Sequence, residues 1–127
     1  DITIISYSKM VCVSLEISDI LKKEYNVSCD VIDLRTLRPL DSESIINSAK
    51  KTGKVVIIEE AHKTGGFSGE LTSIIQEECF DYMDSPIIRI CSEDIPIPYS
   101  KNLEDSIIPN AKYALTEIIK KLNLKKI

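Results

Sequence analysis

One histidine, four glycines and no Cys-x-x-Cys pair in 127 residues exclude several common kinds of site. A zinc site or a disulfide framework normally shows close cysteine or histidine spacing. Here Cys12, Cys29, Cys79 and Cys91 lie far apart, each in an apolar stretch. They are expected to be reduced thiols packed as small hydrophobes, which implies a reducing compartment. Positive charge is not in surplus either: 16 Lys and Arg face 20 Asp and Glu, a net charge of −4. That leaves nucleic-acid binding without an electrostatic footprint. No apolar run approaches the ~18 residues of a membrane span, and no signal or transit segment is visible. The chain opens directly on a strand-like run, Asp1 to Ile5, as expected of a fragment whose upstream part is missing.

What is present is enough apolar residue, 43% of the chain, to build one core, and residues 1–127 are read as one domain. Ile2 to Ser6 is a short β-branched strand with no polar alternation, the pattern of burial on both faces. Val11, Leu15, Ile17 and Leu21 then recur at helical spacing up to about Tyr25, and Asn26 suits a left-handed stop. Val27 to Leu34 reads as a second strand. Asp41 caps a helix over Ser42 to Thr52, and Gly53 ends it. Lys54 to Glu59 is the third strand, and a loop over Ala61 to Gly66 leads into a helix from about Phe67 to Phe80. Ile87 to Cys91 is the fourth strand. The alternate prolines of Ile95 to Tyr99 require extended chain, and Pro109 is expected in the first turn of a closing helix. Such alternation predicts a parallel sheet with right-handed crossovers and helices on both faces.

The run from Glu59 to Gly69 lies between a strand C-terminus and a helix N-terminus, where open parallel sheets tend to bind ligands. Its glycine spacing matches neither a dinucleotide fingerprint nor a Walker loop, so close packing of the turn accounts for it. A small-ligand module using Gly65 and Gly66 is the competing function. His62 has no nucleophile to serve and is expected at an interface or in solvent. Glu59 and Glu60 are adjacent on a strand, point to opposite faces and cannot act as a pair. Arg35 and Arg38 are expected in structural ion pairs, for instance with Asp33 or Asp41. Glu77, Glu78, Asp81 and Asp84 crowd a helix C-terminus, where the dipole favours cations. An acidic cluster set against that preference suggests a cationic partner. No catalytic, cofactor-binding or metal-binding residue is assigned.

Several blocks carry a resemblance: Asp1 to Ser8, the run Val31-Ile32-Asp33-Leu34-Arg35-Thr36-Leu37-Arg38-Pro39-Leu40-Asp41, Lys50 to Gly53, and Glu59-Glu60 with Thr64-Gly65-Gly66. Phe80 to Pro86 and Asp94 to Tyr99 with Asn102-Leu103-Glu104 complete the series. Together they resemble, over essentially the whole chain, the transketolase C-terminal-like domain of thiamine-diphosphate-dependent 2-oxoacid dehydrogenase beta subunits. The Pro-x-Pro-Tyr run with Asn-Leu-Glu is similar to the pyruvate branch, and the Lys-Thr-Gly-Gly loop to its plastid-type members. Val27-Ser28-Cys29 and Gln76 to Phe80 resemble the branched-chain enzymes, the alternative. Transketolase and deoxyxylulose-phosphate synthase share the domain but fit the Pro-x-Pro-Tyr segment poorly.

The resemblance implies a three-layer α/β/α sandwich with parallel strands in the order 2-1-3-4 and an antiparallel edge strand upstream of residue 1. It implies no cofactor in this domain, with thiamine diphosphate and magnesium bound elsewhere in the full enzyme. The implied partners are an alpha subunit and a second beta subunit in a heterotetramer, and the peripheral-subunit-binding domain of the acyltransferase core. Asp84 matches the family's aspartate that pairs with an arginine of that binding domain. Asp81 is its neighbour, and the C-terminal carboxylate, here on Ile127, is used in the same site. Lys125 and Lys126 before Ile127 depart from that pattern. An organellar address, mitochondrial or plastid, follows from the same resemblance.

Overall fold

The computed structural model describes residues 1–127. Four strands, β1 (Ile2–Ser6), β2 (Cys29–Asp33), β3 (Val55–His62) and β4 (Ile88–Ser92), form one sheet in the order β2-β1-β3-β4. All three pairings are parallel. The crossovers are α1 (Met10–Tyr25), α2 (Ser42–Thr52) and α3 (Ser68–Cys79), the last continued by a 3-10 turn over Phe80–Tyr82. Two further helices, α4 (Lys101–Ile107) and α5 (Ala111–Leu122), close the chain.

The strand alternation sorts the interior into two cores. Ile2, Ile4, Val56, Ile58, Ile88 and Ile90 point toward α1 and α5, where they meet Met10, Ile17, Leu21, Ala114 and Ile118. Ile5, Val55 and Ile57 point the other way, onto Ile45, Ala49, Leu71, Ile75 and Cys79 of α2 and α3. A sheet covered on both sides needs strands that are apolar throughout, and all five residues of β1 are buried. Thr3 is the polar exception in its middle. Its hydroxyl bonds Ser48 Oγ at 2.7 Å and Thr52 Oγ1 at 2.8 Å, which ties α2 to the strand beneath it.

The stops act as expected. Asn26 and Gly53 take left-handed φ values of 52° and 67°, and each returns its N–H to a helical carbonyl. Asp41 caps α2 by accepting from Ser44 N at 3.1 Å.

Five expectations need correction. β3 does not stop at Glu59 but runs to His62. Between Ile58↔Ile90 and His62↔Ser92 it advances four residues while β4 advances two, a bulge that Ser92 pins by donating to the Glu60 carbonyl at 2.6 Å. On α1 the buried line is Met10, Ser14, Ile17 and Leu21, while Leu15 is 53% exposed. Ser14 replaces the expected apolar residue because it bonds Ser6 Oγ at 2.9 Å and the Met10 carbonyl at 2.8 Å. Cys12 accordingly faces outward instead of packing. Pro109 stands before the last helix, because Asn110 is its cap and accepts from Tyr113 N at 2.9 Å. Finally, α4 follows the extended prolines with no side-chain cap and no buried residue.

Candidate functional site: two ends of one sheet

Parallel strands give the domain two distinct ends. At the C-terminal end the strand order reverses between β1 and β3, whose following helices lie on opposite faces of the sheet. Such a reversal opens the crevice in which ligands of open α/β sheets usually bind. Here a buried carboxylate occupies part of it, at the N-terminus of α3. Glu59, fully buried at the bulge of β3, accepts from Tyr7 Oη at 2.9 Å and from Ser68 N at 3.1 Å, and lies 3.5 Å from Cys91 Sγ. A carboxylate on a free N–H of the first turn complements the positive end of α3. The helix therefore receives its anion from within. Burial, reinforced by the bond to Glu59, pushes the Tyr7 phenol well above its ordinary range. Burial likewise raises the Cys91 thiol.

Gly66 completes this packing. A Cβ there would collide with the His62 carbonyl oxygen and with Glu59 Oε1, so the glycine is present for close approach rather than for a phosphate. Glu59 and Glu60 separate as expected: the first is buried and the second only partly. His62 lies at the end of β3, with Nε2 buried and without a hydrogen-bond partner. No three His, Cys, Asp or Glu side chains converge to hold a metal ion. The site that sequence reasoning missed is the Tyr7–Glu59–Ser68 junction, because no local pattern announces a tyrosine that arrives from 52 residues away.

The opposite, N-terminal end carries the acidic segment. α2 ends at Gly53 and β4 begins at Ile88, so residues 80–87 lie along this edge. The Asp84 N–H donates to the Gly53 carbonyl at 2.8 Å, which anchors the turn. A Cβ on Gly53 would stand 2.6 Å from Asp84 Oδ2, so the glycine also makes room for this carboxylate at the end of α2. Asp84 is exposed, and neither Asp84 nor Asp81 has an ion-pair partner, since the four pairs present use other residues. The nearby Lys50 ammonium is directed instead over the Tyr82 ring, 5.1 Å from its centre. Asp84 lines a groove of about 620 Å³ with Gln76, Phe80, Met83, Ser85, Pro86 and Ile87, and the Phe80 ring is 66% exposed. An unpaired carboxylate beside an apolar wall suits a cation carried on an apolar stem, such as arginine.

Asp81 sits on the 3-10 turn leading into the groove without lining it. Ile127 reaches the same end of the sheet, where its N–H donates to the Glu24 carbonyl at 3.0 Å. It does not line the groove and is 82% exposed. Lys126 pairs with Glu24 at 2.7 Å. Arg35 pairs with Asp33 at 2.8 Å as expected, while Arg38 does not pair with Asp41, which is engaged as the α2 cap.

The chain is thus a parallel α/β sandwich with a buried carboxylate at the C-terminal end of its sheet and an unpaired one in a groove at the other end. The family model for the transketolase C-terminal domain matches residues 1–113, and the chain belongs to that family. It is 46% identical over 106 residues to a mitochondrial pyruvate dehydrogenase E1 component subunit beta of Dictyostelium discoideum, covering 84% of this chain and 30% of the relative. A mitochondrial 2-oxoisovalerate dehydrogenase subunit beta of the same organism is 45% identical over 98 residues, 77% of this chain and 26% of the relative. Among solved structures, a split-gene transketolase described as an inactive beta4 tetramer superposes with a TM-score of 0.80 at 26% identity, covering 98% of this chain and 39% of that one. The chain thus spans about a third of the length of the proteins it matches.

Proposed function

We propose that residues 1–127 form the C-terminal domain of a pyruvate dehydrogenase beta subunit, working in subunit assembly and in docking the acyltransferase core. The assignment to pyruvate rests on the relatives of that name and on the Pro96-Ile97-Pro98-Tyr99 and Asn102-Leu103-Glu104 segments. The branched-chain assignment is the less supported alternative. In this reading the full enzyme, a heterotetramer of alpha and beta subunits, carries thiamine diphosphate and magnesium outside this domain and decarboxylates pyruvate oxidatively toward acetyl-CoA. The mitochondrial relatives support an organellar location.

The observation that carries the docking role is the unpaired Asp84 carboxylate, on a turn whose Asp84 N–H is anchored on the Gly53 carbonyl, beside a partly apolar groove. Its complement is an arginine of a peripheral-subunit-binding domain, with Asp81 strengthening the local field and the Ile127 carboxylate contributing from the same end of the sheet. The test uses the complete beta subunit assembled with its alpha subunit. Pyruvate consumption with an artificial electron acceptor should survive Asp84→Asn, whereas turnover through the whole complex to acetyl-CoA should fall with it. Absence of pyruvate turnover by the parent enzyme would remove the substrate assignment. Equal loss of both activities would remove the docking role.

A further inference from the structure

The C-terminal end of the sheet holds a second feature that the docking role does not use. Between the β2–α2 and β3–α3 connections lies an open cleft of about 1120 Å³. Three of its twelve lining residues are cations, Arg38, Lys63 and Arg89, against one carboxylate, Glu70. This concentration stands out on a chain of net charge −4. None of the three cations takes part in the four ion pairs of the molecule.

Arg89 is only partly exposed. Its Nε donates to Ser68 Oγ at 2.8 Å and a terminal nitrogen to the Lys63 carbonyl at 2.5 Å, both neutral acceptors. Those bonds hold the guanidinium in place and leave its charge without a direct partner. The buried Glu59 lies beyond Ser68, engaged with its own donors, and is not part of the cleft wall. Arg38 and Lys63 are exposed, and their side chains make no hydrogen bond within the chain. Arg89 is the partly desolvated member of the three, and its unpaired charge favours the arrival of an anion, which the solvated Arg38 and Lys63 can reach. The N-terminus of α3 adds nothing to the cleft, because Glu59 already serves it.

Four apolar side chains, Leu37, Leu40, Phe67 and Ile74, line the cleft as well, together with Thr64 and three glycines. A concave site with apolar side chains and a few convergent charges is the usual form of a small-molecule pocket, and the volume lies slightly above that class, as an open cleft allows. We infer that this cleft binds a small molecule with a multiply charged anionic head, a phosphate ester or a polycarboxylate, on an apolar body. The head would lie among Arg38, Lys63 and Arg89, and the body against Phe67 and its neighbours. The inference stands independently of the docking role.

The experiment is calorimetric titration of the 127-residue chain in low salt with inorganic pyrophosphate in one arm and citrate in the other. Saturable heat is expected in at least one arm, and the arm identifies the head group as phosphate or polycarboxylate. Arg38→Gln and Lys63→Gln should each weaken binding roughly tenfold, the loss of one charge-assisted bond. Neither side chain bonds within the fold, so both variants should melt close to the parent. Lys22→Gln on α1 and Lys120→Gln on α5 should leave the affinity unchanged. No saturable heat in either arm would overturn the inference and leave the cleft to an acidic protein partner. Equal affinity in the parent and both cleft variants would overturn it as well, reducing any binding to an adventitious ion only.

Discussion

Replacing Tyr7 by Phe tests the most consequential packing feature at the C-terminal end of the sheet, the junction around the buried Glu59. Tyr7 Oη donates to Glu59 Oε2 at 2.9 Å, and Phe removes that bond while keeping the ring. A hydrogen bond to a charged group contributes about 1.5–3 kcal/mol. Tyr7 is only partly buried, so water can partly replace its hydroxyl and the lower figure, about 1.5 kcal/mol, applies. The entropy of unfolding of a chain this size, about 0.27 kcal/mol/K, converts that into a fall in melting temperature of roughly 5–6 °C. The pH dependence adds a second signature. The folded phenol is raised above its unfolded value of about 10, so the neutral form is favoured in the folded state. Its contribution is fully present below about pH 10 and is lost as pH climbs toward the folded value. Thermal denaturation followed by circular dichroism from pH 7 to 11 should show a constant gap between parent and variant up to about pH 10, then convergence. A gap under 2 °C at pH 7, or one that widens above pH 10, would refute the reasoning.

Three further outcomes are expected. Gly53→Ala forces a Cβ into a left-handed residue and to 2.6 Å from the Asp84 carboxylate. It should cost about 1–2 kcal/mol in urea denaturation and weaken binding of a peripheral-subunit-binding domain as well, whereas a stability loss alone would mean that Asp84 tolerates displacement. Asp41, whose carboxyl is held below its ordinary value by the Ser44 hydroxyl and N–H, contributes stability above about pH 4. The melting gap between parent and Asp41→Ala should accordingly be flat from pH 7 to 5 and shrink as pH falls through the lowered folded value. Alkylation with iodoacetamide, read by mass spectrometry, should label only Cys12 rapidly in the folded chain, because it is the exposed thiol. Burial raises the thiols of Cys29, Cys79 and Cys91, and these should react on unfolding.

The parts of this structure that were legible in advance are those decided by a residue and its immediate neighbours. Asn26 and Gly53 end helices because a left-handed residue closes a backbone ring, and Asp41 starts one because its side chain reaches an N–H three residues on. The β-branched runs of β1 and β3 predicted buried strands for the same local reason. Apolar spacing alone misassigned Leu15 and Cys12, because α1 carries apolar residues on more than one side and a serine, satisfied by Ser6, takes a core position. The strand order came from family resemblance, since alternation fixes parallel pairing without fixing which strand lies at the edge. The Glu59 junction was not legible. It depends on a two-residue bulge in β3 and on partners at positions 7, 68 and 91. Asp84 was nominated from the sequence, but its freedom from ion pairs and its anchoring on Gly53 are properties of the folded edge.

The most direct test of the docking role is the affinity of the intact alpha–beta enzyme for an isolated peripheral-subunit-binding domain, measured by calorimetry in low salt with and without Asp84→Asn. Removing one partner of a partly desolvated charge pair should weaken binding at least roughly thirtyfold, with Glu77→Gln, on the exposed outer side of α3, close to the parent. Equal affinity for the parent and the Asp84 variant would contradict the account.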